Sequence, residues 1–296
     1  MKIRIRAAGG LGNQLLQYFG ALYISQQLNE EVIFDLSEID LHHTLGKYDL
    51  RSFNEPAKSL KICKYSALHP TRLCLKALRR LLRHFRLRLT YAAFQEDRND
   101  IQSLLHSVQC SRGRFNSIEI SGWFANFDYF HNLPQVLREI SLSSPSRKFF
   151  SCKNYLAGCG YIAIHLRFGD YLENPSLHGV LTREYYDKAL EALGVDTYND
   201  NFVFFSNDNS KLNEFIDLSK FRNVTLIDDS PEFDPAEVLV LMGGATKIVT
   251  SNSTFSYLAA LLAPAAIVAF PRVNIRGEEF ILNAPTNWIE IPPHWL

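Results

Sequence analysis

Three short polar clusters in the second half of the chain carry the residue types that can hold a diphosphate. His165-Leu166-Arg167-Phe168-Gly169-Asp170-Tyr171 directly follows the apolar run 161–164. Ser206-Asn207-Asp208 follows the run 202–205, and Ser251-Asn252-Ser253-Thr254 follows the run 247–250 and precedes a helical pattern. Hydroxyls and backbone N–H groups at a helix start make a seat for phosphate. A guanidinium such as that of Arg167 can grip phosphate oxygens as a bidentate fork. The Asp208 carboxylate can accept hydrogen bonds from a base or a ribose. Together these groups describe a nucleotide diphosphate held by an arginine and a helix end, with no metal required. Singly, each has a plain structural meaning: an N-cap, a satisfied core histidine, a turn aspartate. Their placement at three successive strand ends favours a ligand, because open parallel sheets bind ligands beyond the carboxyl ends of their strands.

The elements that must position these clusters follow from periodicity. Residues 2–6 alternate as a strand, 9–12 form a glycine turn, 13–28 read as a helix and 31–35 as the next strand. Residues 118–120 suggest another strand. The polar, Ser/Pro-rich segment 141–148 marks a boundary. The second half repeats strands at 161–166, 201–205, 224–227, 247–250 and 266–270. Between them lie helical patterns at 183–193, 212–218, 235–242 and 256–262. Repeated strand–helix pairs predict parallel sheets covered on both faces. The expectation is two α/β domains in series, 1–145 and 146–296. The loop Gly10-Leu11-Gly12-Asn13-Gln14-Leu15 lacks the third glycine of a dinucleotide fingerprint and the lysine of a P-loop.

Composition bounds the classes. The chain has 296 residues, 47 % hydrophobic and 21 % charged, a globular rather than disordered balance. No apolar run reaches the roughly 18 residues a membrane helix needs, and the N-terminus has no apolar core of a signal peptide. Five cysteines without CxxC spacing fit free thiols in a reducing, cytoplasmic setting and no zinc site. The 31 basic and 31 acidic residues cancel, but unevenly. Residues 56–95 hold ten Lys and Arg and no Asp or Glu, so elsewhere 21 basic residues face 31 acidic ones. Within this island Leu75, Leu78, Leu82, Phe85 and Leu89 form one helical stripe beside Arg72, Lys76, Arg79, Arg83 and Arg86. Two readings of 72–90 fit: a solvated basic face, or a surface that docks on anionic lipid. No aromatic stacking platform or nucleic-acid motif accompanies the basic residues, so no nucleic-acid partner is expected.

Six segments in fixed order resemble the family 11 glycosyltransferases, the alpha-1,2-fucosyltransferases. GGLGNQLLQYFGALYIS, from Gly9, resembles the family's N-terminal signature, and GWFANFDYF, from Gly122, its Gly-Tyr-Trp-Gln segment. HLRFGDY resembles its His-x-Arg-Arg-Gly-Asp-Tyr motif, and Leu177-His178-Gly179-Val180 with Tyr185-Tyr186 resembles its His-Gly and Tyr-Tyr segment. FFSND is similar to its Phe-Ser-Asp segment. Leu241-Met242 with SNSTFSYLAALL is similar to its Leu-Met and Ser-Asn-Ser-Ser-Phe-Ser-Trp-Trp block. The sequence departs where Phe168 replaces the second arginine, Tyr257-Leu258 replace the tryptophans, and Val238 replaces an aspartate.

The resemblance implies a GT-B-like α/β fold: two Rossmann-like domains facing a cleft, an N-terminal acceptor side and a C-terminal domain that binds GDP-fucose. It implies inversion at the anomeric carbon and no obligatory metal or other cofactor. Arg167 then neutralises the leaving diphosphate, His165 and Asp170 sit beside it, and Asn13 points toward the acceptor. Gly10, Gly12, Ser206, Asp208, Asn252, Ser253, Thr254 and Phe255 complete the expected nucleotide contacts. The acceptor base is open between His178, Asp170 and Glu237. The expected partners are GDP-fucose and a galactose-terminated, lipid-linked or free glycan at the cytoplasmic membrane face, with 72–90 as peripheral contact. The rivals are a fucosyltransferase of other linkage such as alpha-1,6, a non-catalytic nucleotide- or carbohydrate-binding module, and an NAD-dependent oxidoreductase.

Overall fold

The computed structural model describes residues 2–36, 39, 50–54, 60–63, 91–97, 100–228, 232–273 and 284–296. The basic segment 72–90 lies outside the described residues. The chain folds as two units: Met1–Leu50 with Glu55–Ile140, and Arg51–Asn54 with Ser141–Leu296. The division falls five residues before the expected 145/146 boundary. Residues 51–54 join the second unit because Phe53 bridges Leu142, Asn54 N–H donates to Ser141 O (2.7 Å) and Ser143 N–H to Ser52 O (2.9 Å).

The first unit is built on five parallel strands, β1 (Lys2–Arg6), β2 (Val32–Asp35), β3 (Leu60–Cys63), β4 (Tyr91–Gln95) and β5 (Ser117–Ser121), in the order β3-β2-β1-β5-β4. Helix α1 (Leu11–Leu28) follows β1, and α2 (Ile101–Cys110) precedes β5. The α1 helix begins two residues earlier than its periodicity predicts and is buried on nearly every side. A helix without a clear polar face belongs in a core. It ends on Asn29, whose left-handed backbone (φ 50°) returns its N–H to Gln26 O.

The second unit has six parallel strands: β6 (Ile162–Leu166), β7 (Asn201–Ser206), β8 (Asn223–Asp228), β9 (Lys247–Val249), β10 (Ile267–Pro271) and β11 (Ile289–Ile291). Their order is β11-β10-β9-β6-β7-β8. Helices α3 (Arg147–Cys159), α4 (Arg183–Ala192), α5 (Pro235–Gly243) and α6 (Thr254–Leu261) accompany them. All five residues of β6 are buried, as expected of a central strand with both faces covered. The predicted helix at 212–218 is instead one helical turn, Leu212–Phe215, between 3-10 turns that Asp208 and Asp217 cap through Ser210 and Ser219. Here local Asp–Ser hydrogen bonds compete with helix continuation.

Candidate active site

In the second unit the chain lays β7 and β8 on one side of β6, then returns to lay β9, β10 and β11 on the other. The reversal leaves a crevice between the carboxyl ends of β6 and β9, the usual ligand position of such a sheet. Two of the three polar clusters meet there. His165 Nδ1 lies 2.8 Å from Ser251 Oγ, and the same oxygen receives Ser253 N–H at 3.2 Å. Two adjacent tyrosines of α4 fix the lips. Tyr185 donates to Thr250 O at 2.7 Å, and Tyr186 to His165 O at 3.3 Å.

His165 is buried, and burial together with the Arg167 charge drops its pKa to about 3. Desolvation penalises the imidazolium, so the ring is neutral at physiological pH. It serves as an uncharged bridge between two strand ends, with Phe255 5.8 Å away against its face.

Arg167 stands where the chain leaves β6. One guanidinium nitrogen lies 2.7 Å from Asp170 Oδ1, and the group sits 5.6 Å over the Tyr171 ring. The Ser253 side chain lies near the Tyr171 hydroxyl, so Arg167 and the start of α6 share one neighbour. Tyr171 also stacks on His178 at 4.8 Å and 15°. Arg167 is 32 % and Asp170 51 % exposed, and a pair this open is worth at most about 1 kcal/mol. A pair this weak leaves the guanidinium able to exchange Asp170 for an anion that offers two charge-assisted hydrogen bonds.

The surrounding loops are tied together by two amides, of Asn207 and of Asn252, the latter expected to contact the nucleotide. Asn207 Oδ1 accepts Phe168 N–H at 2.7 Å, and Gly169 (φ 57°) leaves the Asn207 amide the space that a Cβ would enter at 2.7 Å. Asn252 Nδ2 donates to His178 O (2.9 Å) and Gly179 O (3.3 Å), which makes it a loop tie. Ser253 is the N-cap of α6 and receives Phe255 N–H, and Thr254 is the first helical residue. Phe168, which departs from the family motif, points inward and packs on Phe215 with ring centres 4.9 Å apart. Tyr257, another departure, is buried with its hydroxyl on Pro271 O at 2.7 Å.

Three expected residues are already engaged. Asp208 accepts Ser210 N–H (3.0 Å) and the Ser210 hydroxyl (2.5 Å), while Ser206 Oγ accepts Asp208 N–H (3.0 Å). Glu237, a candidate base on chemistry alone, is buried in the capping box of α5. Its carboxylate receives Asp234 N–H at 3.0 Å and Ser146 N–H at 2.5 Å. Backbone donors on both oxygens leave this carboxylate fixed.

Gly10, Gly12 and Asn13 lie in the first unit, at the carboxyl end of β1. Gly9 (φ 78°) turns the chain and Gly10 is the N-cap of α1. Buried Gln14 and Gln17 hold this turn. Gln14 Nε2 donates to Gly9 O, and Gln17 receives Ala8 N–H and donates to Gly122 O. The first unit also has its switch point here, between β1 and β5.

Two units built on parallel α/β sheets are the architecture of the GT-B class of glycosyltransferases. The fold is similar to that of a FUT1 mutant from Arabidopsis thaliana solved in complex with GDP (TM-score 0.52, 10 % identity, 91 % of this chain and 69 % of that one). The chain belongs to glycosyl transferase family 11, which matches it over residues 2–292. It is 25 % identical to an alpha-1,2-colitosyltransferase of Escherichia coli over 97 % of both chains. It is 26 % identical to galactoside alpha-(1,2)-fucosyltransferase 1 of Rattus norvegicus over 55 % of this chain and 46 % of that one.

Proposed function

We propose that the protein is an inverting glycosyltransferase that moves L-fucose from GDP-fucose to O2 of a galactose residue in a surface glycan or oligosaccharide. The observation that carries this reading is the cluster of Arg167, Tyr171 and Ser253 at the switch point of the second unit. As the bond from the anomeric carbon to the diphosphate oxygen breaks, its electron pair leaves with GDP. The growing charge meets the Arg167 guanidinium and the positive end of α6. Acceptor O2 attacks from the opposite face of the sugar, and its proton passes to a base. Asp170 and His178, which adjoin Arg167 and Tyr171, are our candidates for that base. His165 positions the two strand ends and takes no proton. The alpha-1,2 relatives in the family support the linkage, and the GDP complex of a similarly folded protein supports the nucleotide.

The full-length similarity to a colitosyltransferase favours a second reading, in which the donor sugar is the 3-deoxy relative of fucose. A thermal-shift panel of GDP, GDP-fucose, GDP-colitose, UDP-galactose and NAD, followed by linkage analysis of products on lactose, separates the readings. Stabilisation by GDP and its sugars, with transfer to O2, is expected. An alpha-1,6 product changes the linkage, and GDP binding without turnover on any acceptor makes the protein a binding module. Stabilisation by NAD alone replaces the glycosyltransferase reading with an oxidoreductase. We further propose that 72–90 contacts anionic lipid at the cytoplasmic membrane face, on its charge pattern. Charge reversal at Arg79, Arg80 and Arg83 should then abolish pelleting with anionic vesicles, and unchanged pelleting sinks the idea.

A further inference from the structure

Trp123 stands at the carboxyl end of β5 with 46 % of its surface exposed, although the loop that carries it is rigidly determined. Phe124, next in the chain, is fully buried with φ at 53°, a conformation that a bulky residue holds only when its surroundings over-determine it. They do. The buried Glu96 carboxylate accepts Phe124 N–H at 3.1 Å and the Tyr129 hydroxyl at 2.8 Å, and Glu96 N–H donates to Ser121 O at 2.7 Å. Gly122 is obligatory, since a Cβ there would lie 2.5 Å from Glu96 Cβ, and Gln17 holds its carbonyl at 3.0 Å. The Phe124 ring covers Gly20 of α1 so closely that a Cβ would meet it at 2.3 Å.

Folding does not require a half-exposed indole at the apex of such a loop, because burying it would be more favourable. Its edge packs over Gly9, with Cζ3 3.3 Å from the position a Cβ would take, and the Asn13 side chain borders the same point. A flat apolar ring beside a side-chain amide is the chemistry that recognises a pyranose: the ring receives the sugar's C–H face and the amide meets a hydroxyl. We infer that Trp123 is the stacking platform for the galactose ring of the acceptor, and that Glu96 is the positioning residue that sets its angle. This inference rests on the glycosyltransferase reading above for the identity of the sugar.

The test uses the full chain with Trp123→Ala and Trp123→Phe. The KM for lactose should rise roughly tenfold or more in Trp123→Ala and recover to within a few-fold of wild type in Trp123→Phe, since phenyl retains most of the stacking face. The thermal shift produced by GDP should not change in either variant. Lactose should alter the intrinsic fluorescence of the wild type, and the response should vanish in Trp123→Phe, where Trp288 and Trp295 remain. A folded Trp123→Ala with an unchanged lactose KM overturns the inference while leaving the donor reading intact. A Trp123-dependent lactose response in a protein that transfers nothing from GDP-fucose upholds the platform and sinks the donor reading. Wild-type emission indifferent to every β-galactoside tried overturns the platform.

Discussion

The two units solve one topological problem with different chemistry. In each, the first strand lies inside a parallel sheet, the chain builds outward on one side and returns on the other, and a crevice opens at the reversal. In the second unit the crevice between β6 and β9 is lined by Arg167, by the Ser251 and Ser253 hydroxyls and by a neutral His165. In the first unit the crevice between β1 and β5 is braced by the amides of Gln14 and Gln17 and by the buried Glu96 carboxylate, and it presents an indole. A guanidinium beside a helix start suits a diphosphate, and a braced aromatic suits an uncharged sugar. The backbone plan creates the place, and a handful of side chains decides the ligand.

Four substitutions sharpen or break that comparison, the first three in order of decreasing expected effect. Phe168→Arg restores the family's second arginine, but its side chain would enter the Phe215 contact. Losing a buried phenyl and burying a charge should lower stability on the order of 4 kcal/mol, read by denaturant unfolding. A stable variant with faster transfer would show that the second crevice accommodates two cations. Arg167→Ala should reduce kcat/KM by about 10²–10³, roughly 3–4 kcal/mol, with unchanged far-UV circular dichroism. Near-normal turnover removes the charge contrast between the units. Gln17→Met leaves Ala8 N–H and the Gly122 carbonyl without their side-chain partner in the first unit. It should cost about 1–3 kcal/mol and raise the lactose KM more than that for GDP-fucose. Equal effects on both constants would contradict the separation of roles.

The last substitution is read as a pH dependence. His165 is held neutral, with its folded pKa near 3 and its unfolded value near 6.5. Its contribution to stability is complete above about pH 6.5 and falls as the pH drops toward 3, because the unfolded chain takes up the proton first. His165→Asn should flatten the melting temperature between pH 6 and 4 relative to wild type. An unaltered slope would mean that His165 is not the group responsible.

Much of this architecture was legible in the sequence. The strands after which the three clusters fall and the helix of the N-terminal signature follow from periodicity and turn residues. Other elements were not. The strands β3, β4 and β11 were not read from the sequence, and each is held by parallel pairing with one neighbour. The α2 helix carried a readable signal in its Asp100 cap and the Leu104, Leu105 and Val108 stripe. The Gln17 and Asn207 ties left no trace, since a buried amide looks like any surface amide until its partner is known.

By itself the sequence determined the class of chemistry, because residue types at strand ends set which charges and hydroxyls can meet a ligand, and the ordered motifs identified the family. Only the tertiary structure decided the individual roles. It turned Glu237 into a helix cap, Phe168 into core and His165 into a neutral bridge, and it left Trp123 exposed. Burial and hydrogen-bond partners come from residues distant in the chain, and they set whether a given side chain is charged, fixed or available.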